Sequence, residues 1–126
     1  MGELPSIDMN QVDGILKRLS ETNHDIVGAA IVSNEGFMLA GKIPKNIDED
    51  LVSAVFTALR SIAQRASQQI ELGNVTQLIM LSENGGALIH PGKRSSLILL
   101  MKPNANLGLI LIDVMNVMRE IKDFLE

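Results

Sequence analysis

Ile47-Asp48-Glu49-Asp50-Leu51-Val52-Ser53-Ala54-Val55-Phe56-Thr57-Ala58-Leu59-Arg60-Ser61-Ile62-Ala63-Gln64-Arg65-Ala66-Ser67-Gln68-Gln69-Ile70-Glu71-Leu72 contains neither Gly nor Pro. Its apolar residues recur at the three- and four-residue steps of a helix face. Leu51, Val55, Ala58, Leu59, Ile62 and Ala66 form one stripe, expected to seat the helix on its own domain. Val52, Phe56, Ala63 and Ile70 widen that stripe. At about 100° per residue the apolar positions span roughly 200°, where a surface helix needs little more than about 100°. Ser53, Thr57, Arg60, Ser61, Gln64, Ser67, Gln68 and Glu71 make the remaining polar strip, and only Arg65 and Gln69 interrupt the apolar side. A domain of this size covers one side of such a helix. The other side calls for a second chain, and Val52, Phe56, Ala63 and Ile70 are the residues expected to meet it.

Upstream, Asp8 is placed to cap a first helix carrying Met9, Val12, Ile15, Leu16 and Leu19 on one narrow face. Asn23-His24-Asp25 breaks it. Residues 26–32 read as a strand, Ser33-Asn34-Glu35-Gly36 as a hairpin turn, and residues 37–42 as the return strand, ended by Pro44. Asn46 or Asp48 can cap the long helix, with acidic residues in or near its first turn where the helix dipole favours anions. Gly73 fits its C-terminal cap.

Downstream, strands are expected at 75–81, 87–90 and 96–101, separated by turns at Glu83-Asn84-Gly85-Gly86 and Pro91-Gly92-Lys93-Arg94. From Leu97 the fifth strand is apolar throughout, as a strand covered on both faces would be. Asn106 can cap a last helix running to Phe124, with Ile110, Val114, Val117, Met118, Ile121 and Leu125 on one face. Residues 107–112 could also be read as strand, but the helical period continues through them. The order α-β-β-α-β-β-β-α, with hairpin-linked strands, predicts an α+β fold: a five-stranded antiparallel sheet with helices on its faces. The 126 residues suggest one domain, with 1–6 as a flexible lead.

Composition narrows function. The chain has 46% hydrophobic residues, ample for a core, and seven Met, expected mainly as core filler. It has no Cys, which removes disulfides, thiolate nucleophiles and thiolate metal sites. A net charge of −4, with three Phe and no Tyr or Trp, argues against a nucleic-acid binder. No apolar run approaches the ~20 residues of a membrane span, and no signal peptide is visible, so a cytoplasmic location without membrane insertion is expected.

No segment carries enzyme chemistry. Gly36-Phe37-Met38-Leu39-Ala40-Gly41-Lys42-Ile43 approximates phosphate-loop spacing. Ile43 stands where a Ser or Thr must ligate magnesium, and Pro44 follows where a helix must begin. His24 and His90 are the only histidines, read as surface or turn residues, and neither has a second metal ligand at the right spacing. Ser33, Ser82, Ser95 and Ser96 lack a nucleophile elbow. Met1-Gly2-Glu3-Leu4-Pro5-Ser6 formally fits a myristoylation pattern, but no polybasic segment follows to supply a second anchor. Lys93-Arg94 reads as a solvated turn tip. No catalytic residue, metal or cofactor is expected.

Two stretches resemble a known family. Gly28-Ala29-Ala30-Ile31-Val32-Ser33-Asn34-Glu35-Gly36-Phe37-Met38-Leu39-Ala40 is similar to the first hairpin of roadblock domains, the dynein-light-chain-related family. Ala105-Asn106-Leu107-Gly108-Leu109 resembles that family's opening of the last helix. The element order agrees, so the resemblance covers essentially the whole chain. It implies a roadblock/profilin-like architecture, and the short chain resembles the free-standing prokaryotic type.

The resemblance further implies a homodimer whose long helices lie together and whose sheets join at the third strand. This adds Val75 and Leu78 to the expected interface. It implies a non-enzymatic scaffold that binds or regulates a small Ras-like GTPase. The polar strip of the long helix, with Arg60, Gln64, Ser67 and Gln68, is then the candidate GTPase contact. The alternatives are a cytoskeletal or motor-complex adaptor and a ligand-sensing domain.

Overall fold

A computed structural model of the protein describes residues 9–125, with side chains through Lys122. The expected lead at 1–6, the myristoylation pattern, the Asp8 cap and the side chains of Phe124 and Leu125 lie outside the described residues. The elements are α1 (Met9–Thr22), β1 (Ile26–Ser33), β2 (Met38–Lys42), α2 (Glu49–Gln69), β3 (Leu78–Ser82), β4 (Gly85–Pro91), β5 (Ser95–Met101) and α3 (Leu107–Leu125). This is the expected order, and residues 107–112 are helix. The five strands form one antiparallel sheet in the order β2-β1-β5-β4-β3.

The sheet separates two apolar layers. On one face, Val12, Leu16 and Leu19 of α1 and Ile110, Val114, Val117 and Ile121 of α3 pack on Ala29, Ile31, Leu88, Leu97 and Leu99. On the other face α2 is the only helix among the described residues, and Val52 and Phe56 pack on Ala30, Val32, Ala87, Ile89 and Ile98. Strand residues alternate between the layers because successive side chains point to opposite faces. β1 and β5 are therefore apolar on both faces, and each fully buried Leu, Ile or Val contributes about 1.5–3 kcal/mol.

Local signals set most element ends. Asp48, rather than Asn46, caps α2: its Oδ1 accepts the N–H groups of Asp50 at 2.9 Å and Leu51 at 3.3 Å. Asn106 caps α3 by accepting the Leu109 N–H at 3.1 Å. The α2 C-terminus differs from expectation. Glu71 takes the left-handed position (φ 63), and the Leu72 N–H reaches back to the Ser67 carbonyl at 2.8 Å. That bond closes a Schellman turn two residues before Gly73. The strand at 75–81 is also shorter than expected, because only Leu78–Ser82 pairs with β4. β4 in turn runs through Pro91, so His90 is a half-buried strand residue and not a turn residue.

Candidate functional site

Leu59 packs partly against the α2-side core as expected, but the two sides of α2 are otherwise exchanged relative to the sequence expectation. Val52 and Phe56, expected to meet a second chain, are 9% and 7% exposed and sit in the domain's own core. Leu51, Val55 and Ile62, expected inside, are 60%, 46% and 65% exposed. Ala58 and Ala66 are exposed between and beyond them. The free surface of α2 thus carries a continuous apolar stripe at the steps of one helix face. Of the other residues expected at an interface, Ala63 and Val75 are half-buried, Leu78 packs partly against the α2-side core, and Ile70 is exposed.

The reason lies in the polar strip. Arg60 Nη2 donates to the Gly92 carbonyl at 2.8 Å. Gln64 Nε2 donates to Asn74 Oδ1 at 2.8 Å, while Gln64 Oε1 accepts the Val75 N–H at 3.0 Å. Ser67 Oγ donates to the Gly73 carbonyl at 2.7 Å. These side chains satisfy backbone groups of the β4–β5 turn and of the segment leading into β3, groups that otherwise lack strand partners. Their bonds turn that flank of α2 toward the domain and roll the Leu51–Ile62 stripe outward. Of the four residues expected to contact a GTPase, Arg60, Gln64 and Ser67 are committed to internal struts, and Gln68 is exposed. On α2, Ser61, Arg65 and Gln68 are exposed polar residues beside that strip.

The two sheet edges differ. At the β2 edge, the Gly41 N–H donates to Asp13 Oδ1 of α1 at 2.6 Å. β3 forms the opposite edge and exposes Ile79, Met80 and Leu81, the last at 70%. An open apolar edge is a template for pairing with another strand. The register places Leu78 and Met80 opposite Ile89 and Ala87, on the α2 face. A depression bounded by Phe56, Met80, Gly86 and Leu100 lies between α2 and the β3–β4 hairpin. The helix stripe and the open edge therefore belong to the same half of the molecule.

The remaining chemistry is sparse. Burial lowers the pKa of the His90 imidazole. Among the described residues no cluster of His, Asp or Glu has metal-binding geometry, and no helix is long and apolar enough to cross a membrane. Sequence reasoning missed the Asp13–Gly41 bond and the inward role of Arg60. The accessible clue was an excess of hydrogen-bonding side chains beside turns rich in Gly and Asn.

Known proteins match this arrangement. The Roadblock/LC7 domain family matches residues 12–102. The uncharacterized protein MJ0714 of Methanocaldococcus jannaschii is 30% identical over 113 residues, covering 90% of this chain and 95% of that protein. Among solved structures, Myxococcus xanthus MglB is similar with a TM-score of 0.85 at 12% identity, covering 97% of this chain and 92% of that one. A Roadblock/LC7 domain from Streptomyces avermitilis is similar with a TM-score of 0.81 at 16% identity, covering 90% and 96%. The chain belongs to the Roadblock/LC7 domain family.

Proposed function

We propose that this Roadblock/LC7 domain works as a homodimeric, non-enzymatic platform that binds or regulates a small Ras-like GTPase. The observation that carries the dimer is the exposed stripe Leu51, Val55, Ala58, Ile62 and Ala66 on the same half of the molecule as the open β3 edge. A two-fold axis beside β3 pairs each stripe with its copy and each edge with its copy, so the contact is self-complementary. It removes apolar surface and an unpaired edge together. The interface is accordingly assigned to this stripe with Ile79, Met80 and Leu81. It replaces the set built on Val52 and Phe56.

The partner class comes from the family resemblance. In the dimer the exposed polar residues Ser61, Arg65 and Gln68 of both α2 helices lie on one broad polar surface, suited to an interface rim. The test is a titration of a small Ras-like GTPase from the same organism, in its GDP state and with a non-hydrolysable GTP analogue. Arg65→Glu is expected to weaken binding at least fivefold through charge mismatch, with the dimer mass unchanged. Equal affinity of wild type and variant in both states would remove this surface from the contact.

A further inference from the structure

On the face of the sheet opposite α2, α1 and the β1–β2 edge enclose a groove of about 700 Å³. Its size falls within the few hundred to ~1,000 Å³ typical of small-molecule sites. Its floor is apolar: Leu16 and Ala29 are buried there, Val27 is 41% exposed beside Pro44, and Ile43 lines the rim while its side chain packs into the α2-side core. Lys17, Lys42 and Lys45 line the same groove. None of the three forms an ion pair among the described residues. With the Asp13 and Glu21 carboxylates on the same lining, the three lysines leave the groove one net positive charge in a chain of net charge −4.

We propose that this groove binds a small amphipathic organic anion, a single carboxylate on an apolar body. The apolar body lies on Val27 and Pro44, and the carboxylate meets the lysine ammonium groups. Charge-assisted bonds to the ammonium groups add to the burial of the apolar body. The Asp13 carboxylate lines the groove too, but its Oδ1 already accepts the Gly41 N–H. That bond occupies one of the edge-strand donors that an added peptide strand would use, which favours a compact ligand over strand addition. Glu21, at the same groove, repels a second carboxylate and so favours a monoanion. The groove is at the β2 edge, the opposite end of the sheet from β3, so occupancy and dimerisation are separable.

The experiment titrates octanoate into the full chain while amide and methyl NMR shifts are followed, with octan-1-ol as the neutral counterpart. Saturable shifts at Val27, Ile43 and Lys42 are expected, with octan-1-ol at least fivefold weaker. Lys42→Glu combined with Lys45→Glu is expected to weaken octanoate at least tenfold while thermal stability and dimer mass stay unchanged. Absence of saturation, equal affinity for the alcohol, or shifts centred on α2 would each overturn the proposal. An acidic peptide that shifts the same residues at lower concentration than octanoate would also overturn it, in favour of a protein ligand.

Discussion

The Gly41 amide and the Asp13 carboxylate, 28 residues apart, meet at 2.6 Å and tie α1 to the β2 edge of the sheet. Gly41 holds a φ of +97°, and a Cβ placed there would lie 2.2 Å from the Ala29 carbonyl oxygen. Two costs coincide, because L side chains disfavour that backbone region and the clash is with backbone that has no rotamer to change. Gly41→Ala is expected to destabilise by about 3–5 kcal/mol. Urea unfolding followed by circular dichroism checks this, and a loss under about 1 kcal/mol would contradict the geometry.

The exchanged sides of α2 make a paired prediction. Phe56→Ala removes a core side chain and is expected to cost about 3–5 kcal/mol. Ile62→Asp places a charge on the exposed stripe and is expected to leave the fold intact while halving the mass seen by light scattering. The reverse pattern, a folded Phe56→Ala monomer and an unfolded Ile62→Asp, would restore the opposite orientation.

Edge pairing has its own signature. If β3 pairs with its copy, amides of Leu78–Ser82 that point away from β4 are slow to exchange in the dimer. The same amides are expected to exchange faster in the Ile62→Asp chain, by a factor of ten or more. Equally fast exchange in both proteins would mean that the dimer leaves β3 free.

Glu71 is a non-glycine residue in the left-handed position that ends α2. Glu71→Gly relieves that backbone and is expected to stabilise by about 0.5–1 kcal/mol, seen as a higher urea midpoint with an unchanged slope. No gain would indicate that the carboxylate has a compensating role at this end.

Burial holds the His90 pKa below the ordinary value of 6.5. The unfolded chain therefore takes up this proton at a higher pH than the folded chain does. The stability contribution of neutral His90 is complete above pH 6.5 and declines as the pH falls below it. Urea midpoints at pH 7.5 and 5.5 are expected to differ more in wild type than in His90→Gln. An equal difference in both proteins would assign the effect to another group.

Within the candidate site, the sequence made the surplus of apolar surface on the long helix legible, together with the exposed end strand that follows it. It did not show which stripe was the surplus. Two apolar stripes compete for the same sheet, and the heavier one, Leu51 to Ala66, looked like the inward choice. Arg60, Gln64 and Ser67 reversed that choice because their partners, Gly92, Asn74, Val75 and Gly73, lie on turns that come close only after the sheet forms. Gly41 likewise read as part of a false phosphate loop, while its actual need is close approach to the Ala29 backbone.

Periodicity, turn residues and caps are local, and through them the sequence by itself determined the element order, the antiparallel sheet and the Asn106 cap of α3. The direction in which α2 faces and the tie of α1 to the β2 edge were decided only in the tertiary structure. Each depends on hydrogen bonds between segments distant along the chain, such as Asp13 with Gly41 and Arg60 with Gly92, whose donors and acceptors have no common period to reveal them.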